Sequence, residues 1–202
     1  MLLKEFGLFS GYYILNNFFE NYLNKKNARN LVAAFHASSS VIINSAYILT
    51  GHEALNIFSQ NFSIGYFIYD SYYIVRFDKM NILAYCYLYH HYAILYLINH
   101  NYVFNGVHLI LFAGELSNLP SYIIYHNLHL DKKTQKTEET ISFYKNIQKF
   151  SYSFIRIPVM TYLLYDITTT LDLYNYSNLL VLATAFPVYL MGLVWSYKLI
   201  SG

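Results

Sequence analysis

The sequence predicts an all-α fold, a polytopic membrane helix bundle that crosses the bilayer seven times. Three observations predict it: a shortage of charged residues, a series of seven apolar segments, and the placement of Lys and Arg between them. Of the 202 residues, 12% are charged and 56% are hydrophobic, whereas a soluble domain carries about 25% charged residues. So few charges cannot cover a soluble surface, and the composition therefore excludes a soluble globular protein.

The seven apolar segments follow one another along the chain, separated by polar stretches. A membrane-spanning helix needs about 20 residues, with a range near 17–25. The third and fourth segments are shorter, and we expect flanking Tyr and Asn to extend them at the membrane interface. The first contains Asn16, Asn17 and Glu20 and is the weakest span. The segments are Phe6–Leu23, Leu31–Leu49, Phe62–Val75, Ile82–Ile98, Val103–Tyr125, Phe150–Ile167 and Leu179–Ile200.

The stretch His126–Lys149, between the fifth and sixth segments, is predicted to be a solvated loop with a short helix. It contains five lysines, which are partly balanced by Asp131, Glu138 and Glu139. Such a small excess of positive charge gives only mild attraction to anionic surfaces. We therefore expect no nucleic acid partner.

The basic residues indicate an orientation in the membrane. Eleven of the 13 Lys and Arg residues fall in the first, third and fifth loops or at the C-terminus, and the exceptions are Lys4 and Arg156. The apolar segments predict an integral, multi-pass membrane protein, and in such proteins the loops rich in Lys and Arg stay on the cytoplasmic side. Its N-terminus is predicted to be lumenal and its C-terminus cytoplasmic.

Ionisable residues recur at similar depth within the predicted spans. Such residues are expensive in hydrocarbon and usually face a bundle interior or a wet cavity. The alternative is a buried polar network that only packs the helices together. The residues are His36 in the second span, Asp70 in the third, His90 and His91 in the fourth, Glu115 in the fifth and Arg156 in the sixth.

Helical spacing extends the polar positions of the fifth span into a stripe. His108, Glu115, Asn118 and Tyr122 share one face of a helix, because side chains three, four or seven residues apart lie above one another. A stripe of this kind cannot face lipid. It predicts that the spans enclose a shared interior cavity, with His108 and Asn118 added to its lining.

A series of short motifs runs in order from residue 29 to the C-terminal region. The motifs are Arg29…His36-Ala-Ser38, Gly65 to Asp70, His90-His91, Glu115-Leu-Ser117-Asn118, Arg156-Ile-Pro158 and Trp195. In these motifs the chain resembles the TLC-domain family of membrane proteins, and it looks most like the small TLC domain-containing proteins. The resemblance implies a six-helix TLC domain over residues 29–202, preceded by an N-terminal transmembrane helix and first cytoplasmic loop over residues 1–28. It also implies a location in the endoplasmic reticulum or another endomembrane.

Two functions from different classes, and a weaker third, remain open after this resemblance. Ceramide synthases, more distant members of the family, follow the His pair with paired aspartates on the next span, and the His pair is implicated in acyl transfer. This chain keeps His90 and His91 but has Glu115 and Asn118 on the next span. The favoured hypothesis is therefore a protein that binds or regulates an acyl lipid, a sphingolipid or a phospholipid. The alternatives are an N-acyltransferase that uses acyl-CoA and a sphingoid base and, more weakly, a cargo or translocation adaptor.

The chemistry of the site follows from its residue types. Imidazole can be acylated and can pass the acyl group to an amine, which makes His90 and His91 the catalytic residues if the chain is an enzyme. Neighbouring positions on a helix point about 100° apart, so the two rings cannot do identical work. Asp70 or Glu115 could fix one tautomer, and Arg156 could hold a phosphate or thioester head group.

No metal site or cofactor is expected from these motifs, apart from acyl-CoA as a co-substrate of the enzyme hypothesis. Adjacent histidines lack the i, i+4 spacing of helical zinc ligands, and Cys86 is the single cysteine. Membrane lipid is the expected partner. A homodimer is left open.

Overall fold

In a computed structural model, residues 2–100, 106–130, 134–172 and 174–201 are described, and no strand occurs among them. A π-helical turn, Tyr152–Arg156, joins α6 to α7, so these residues form seven continuous helices and the predicted all-α fold is confirmed. The helices are α1 Leu2–Glu20, α2 Lys25–Thr50, α3 Glu53–Phe77, α4 Ile82–Asn99, α5 Val107–Leu128, α6 Gln135–Ser151, α7 Ile157–Thr170 and α8 Tyr176–Ser201.

Three of the helices in the described ranges, α2, α5 and α8, are long and apolar enough to cross a membrane. Large apolar side chains also cover the outside of the bundle, and Ile42 and Ile82 are 68% and 81% exposed. An exterior of this kind is typical of a surface that is not covered by water. Both observations are consistent with an integral membrane protein.

The helix that contains the third predicted segment is longer than the segment, because α3 begins at Glu53 whereas the segment begins at Phe62. The added turns contain buried Asn56 and Ser59, which lower the apolar character of the sequence there. Their polar groups are satisfied between helices: Asn44 Nδ2 of α2 donates to Ser59 Oγ at 2.8 Å. Hydropathy alone cannot distinguish polar residues that face a neighbouring helix from polar residues in a loop.

The helix predicted within the loop His126–Lys149 is present but longer than expected, because α6 occupies Gln135–Ser151 and α5 continues to Leu128. A capping box starts α6: the side chains of Thr134 and Thr137 each accept a hydrogen bond from the backbone N–H of the other residue. Two of the first N–H groups of the helix are thereby satisfied. The helix is rich in Lys, Glu and Gln, which favour helix while lowering hydropathy.

The π turn has a cause in the sequence. Pro158 has no backbone N–H and its ring disfavours a regular helix on its N-terminal side. Immediately before it, the N–H of Ile157 bonds to the carbonyl of Tyr152, five residues back. The helix is widened over one turn and then continues, and this turn carries Arg156.

The packing of the helices leaves a space near one end of the bundle. The helix α2 lies against α5, α1 against α3, and the α6–π–α7 helix against α5 and α8. Gly65 of α3 faces the backbone of Leu8 and Phe9, where a larger residue would push α1 away. Small residues allow this close approach of two helices.

Candidate functional site

A cavity of about 540 Å³ lies between α2, α3, α4, α5, α8 and the π turn. This volume is within the range of about 300–1,000 Å³ that is usual for ligand sites. Six of the eight predicted site residues line it: Asp70, His90, His91, Glu115, Asn118 and Arg156. These six residues, which were predicted from their depth and helical spacing, therefore do lie around one cavity.

His36 lies behind the wall of the cavity and faces Glu115. Its ring is fully buried and stacks on Tyr66, with ring centroids 4.0 Å apart. The Nε2 atom is 3.6 Å from Glu115 Oε1, and the Nδ1 atom is 3.0 Å from the hydroxyl of Tyr12. Because a carboxylate faces Nε2, we assign the proton to that nitrogen, so that Tyr12 donates to Nδ1.

His91 is held between two side chains of α3. Ser71 Oγ is 3.1 Å from His91 Nδ1, and Asp70 Oδ2 is 3.6 Å from His91 Nε2. The Asp70 carboxylate also accepts a 2.7 Å hydrogen bond from Nε of Arg29. The Nη1 atom of the same arginine donates to Asp78 at 2.7 Å. One guanidinium thus faces two carboxylates in this cluster, and both nitrogens of His91 have neighbours.

His90 has a different environment although it is the next residue. Its Nδ1 atom is buried and has no hydrogen-bond partner among the described residues. The ring faces Trp195 of α8, with centroids 6.5 Å apart, and lines the cavity together with Arg156. His90 is therefore the member of the pair that keeps a ring nitrogen for a ligand.

Arg156 is 5% exposed and is held by neutral groups. Its Nη1 atom donates to Asn118 Oδ1 at 3.1 Å and to the hydroxyl of Tyr152. The hydroxyl of Tyr152 donates in turn to Asn118 Oδ1 at 3.0 Å, and the guanidinium lies over the Tyr152 ring. Within the described ranges, no carboxylate lies within ion-pair distance of Arg156.

His108 does not line this cavity. It packs edge-on against Tyr47 of α2, with ring centroids 4.9 Å apart. Its spacing from Glu115 does place both residues on the face of α5 toward α2, but seven residues correspond to about 10 Å along a helix. The residues of the predicted stripe therefore do share a helix face, but His108 lies beyond the cavity.

Several residues of the site were missing from the predicted set. Tyr12 lies on α1, the weakest predicted span, and nothing in the sequence links it to His36. Tyr152 is one turn before Arg156, and that spacing could have identified it. Lys26 and Lys198 line the cavity near the ends of α2 and α8. The available signal was that the charge pattern predicts the same side of the membrane for both.

The lining carries more positive than negative charge. The four basic residues are Lys26, Arg29, Arg156 and Lys198, against the two carboxylates Asp70 and Glu115. No group of three or more His, Cys, Asp or Glu side chains suited to a metal ion occurs in the part of the chain that the structure describes. The cavity can thus offer charge, hydrogen bonds and aromatic walls to a ligand.

Comparisons with known proteins give no assignment for this geometry. No protein-family model, no curated protein and no solved structure matches the chain. The TLC-domain resemblance therefore stays a prediction from the motifs.

Proposed function

We propose that this chain is an integral membrane protein that binds or regulates an acyl lipid through the cavity. The observation that carries the proposal is a cavity of about 540 Å³ whose polar groups come from several helices, inside a bundle with an apolar exterior. Ionisable groups inside a membrane usually mark a ligand site or pathway. Aromatic walls, among them Tyr66 and Phe67, suit an apolar chain, and the polar groups suit a head group.

The family, topology and location belong to the same proposal. We propose a six-helix TLC domain preceded by one N-terminal helix, with seven spans in all, a lumenal N-terminus and a cytoplasmic C-terminus, in the endoplasmic reticulum or another endomembrane. The motif order and the placement of basic residues support it. Tags at the two ends, probed with protease in sealed vesicles, are expected to show opposite protection. Equal protection of both ends would mean an even number of spans.

Lipid bound in the cavity can be measured by mass spectrometry of the purified protein. Ala33 lines the cavity, so Ala33→Leu should lower the amount of tightly held lipid per protein. Ala34→Leu is the matched control, because Ala34 is the next residue on α2 and is not part of the lining. Lipid content that is equal in both variants, at equal thermal stability, would contradict the proposal.

One observation favours an N-acyltransferase as a second candidate. His90 combines a ring nitrogen without a partner with a position beside Arg156 in the cavity, which is what an imidazole nucleophile or base needs. Purified protein given acyl-CoA and a sphingoid base would then form N-acylated product. Absence of product in the wild type, with lipid still bound in the cavity, leaves the binding function as the better account.

A further inference from the structure

We propose that the lipid in this cavity is anionic and that its carboxylate or phosphate group binds the guanidinium of Arg156. This inference rests on the lipid-binding function proposed above and adds the charge of the head group. It starts from the contrast between the two arginines of the cavity. Arg29 is paired with Asp70 and Asp78, whereas Arg156 has no carboxylate partner among the described residues and is the more buried of the two. A buried charge without a counter-charge is costly.

The neutral partners of Arg156 contact one nitrogen of the guanidinium and leave the edge that can bind an anion without a hydrogen bond. Asn118 and Tyr152 both occupy Nη1. The Nε and Nη2 atoms, which form the side-on fork of the guanidinium, make no hydrogen bond to a described residue. Two parallel N–H donors on one edge match the two oxygens of a carboxylate or phosphate. The π turn and Asn118 thus orient the fork without neutralising its charge.

The surroundings of Arg156 indicate a lipid rather than a small free anion. A narrow crevice between α7 and α8 begins at His90, Arg156 and Trp195 and continues past Met160 and Val188. A second crevice shares Met160 and Val188 and extends along α7 to Ile167. Eleven residues of helix, from Arg156 to Ile167, span about 16 Å. The crevices are narrow, with volumes of about 20 and 30 Å³, so an acyl chain that follows this apolar path must move α7 and α8 apart, and it would leave its head group at Arg156.

The charge of the cavity mouth fits the same ligand. Lys26 and Lys198 line the outer end of the cavity, where they attract an anion from the predicted cytoplasmic side. Asp70 is paired with Arg29, and Glu115 faces His36 Nε2 at 3.6 Å. Neither of these two carboxylates lies within ion-pair distance of Arg156.

The test uses Trp195, the single tryptophan of the chain, which lines both the cavity and the first crevice. Bromine quenches tryptophan fluorescence at short range, so brominated lipids titrated into detergent-solubilised protein report binding directly. The probes are 9,10-dibromostearate, a lysophosphatidate with the same chain, and the neutral methyl ester. The variants are Arg156→Gln and Arg156→Lys, with Arg76→Gln as the control because Arg76 is exposed and lies outside the cavity.

We expect the wild type and the Arg76 variant to bind at least one anionic probe about tenfold or more tightly than the ester. Arg156→Gln should remove that preference, and Arg156→Lys should keep part of it. The tighter of the two anions identifies the head group. If Arg156→Gln does not fold, the preference of the wild type and the Arg156→Lys result decide the matter.

Two other results separate the failures. Equal binding of the ester and both anions by the wild type would overturn the anionic head group while leaving lipid binding intact. No quenching by any probe would contradict the lipid-binding function itself. Thermal stabilisation by inorganic phosphate that depends on Arg156, in a protein that no lipid probe quenches, would indicate a free anion and overturn the lipid assignment.

Discussion

Replacing Gly65 by Ala is expected to loosen the contact between α1 and α3. A Cβ atom at residue 65 would lie 2.5 Å from Leu8 Cβ, 3.2 Å from the Leu8 carbonyl carbon and 3.3 Å from the Phe9 nitrogen. Non-bonded carbon atoms are best separated by about 3.5–4.0 Å, so α1 must move by about 1 Å. None of these three atoms can rotate away, because all belong to the backbone or to its Cβ substituent.

The size of the effect follows from two opposing contributions. Overpacking of this kind costs about 1–3 kcal/mol, whereas Gly→Ala inside a helix contributes about 0.5–1 kcal/mol of stability. Gly11→Ala on α1 is the matched control, since no atom lies within 4 Å of its added Cβ. The difference between the two variants isolates the steric contact and should be about 1–3 kcal/mol in the free energy of unfolding.

The measurement is unfolding of both variants in the same detergent, followed by circular dichroism. For a chain of this length, 1 kcal/mol corresponds to roughly 2–4 °C in Tm. We also expect lower lipid occupancy in Gly65→Ala, because Tyr12 of α1 donates to His36 behind the cavity. If Gly65→Ala melts together with Gly11→Ala, α1 does not pack on α3 in this way and cannot support the site.

Two further predictions concern the ionisable residues. Asp70→Asn should destabilise the protein by several kcal/mol, since it removes the buried counter-charge of Arg29 and leaves only the exposed Asp78. Asp78→Asn, whose carboxylate side chain is 42% exposed, should cost about 0–1 kcal/mol, and equal melting temperatures of the two variants would refute this. His91→Ala should lower Tm more than His90→Ala, because only the loss of His91 leaves Ser71 without its partner. A larger decrease of Tm in His90→Ala would show that His90, and not His91, supports the structure.

The membership of the cavity was predictable because it depends on two regularities of helices. Side chains three, four and seven residues apart share a helix face, and ionisable groups inside a membrane usually face the bundle interior or a wet cavity. Asp70, Glu115 and Arg156 were identified in this way without any knowledge of which helices are neighbours. The end of the cavity could not be predicted, since His108 shares the face of Glu115 but lies about two turns beyond it.

What the sequence could not supply was the contribution of α1 and the start of α3. Polarity in a predicted span has two physical meanings, a helix end or a contact with another helix, and hydropathy gives both the same value. Asn56 and Ser59 lie outside the third predicted segment although they are buried in α3. Tyr12 carries no charge and has no helical pattern with other polar residues. Its role appears only when Gly65 lets α1 approach α3.

The arrangement of adjacent histidines separates two charged clusters within one cavity. Because neighbouring helix positions point about 100° apart, His91 turns toward Ser71 and Asp70 on α3, and His90 turns toward Trp195 on α8. The cluster on the His91 side contains its own counter-charge, since Asp70 is bound by Arg29. On the other side, Arg156 is held by neutral groups alone. A ligand gains most where the protein has left a charge unbalanced, so we expect the proposed lipid to bind on the side of His90 and Arg156, whereas His91 joins α4 to Ser71 and Asp70 of α3.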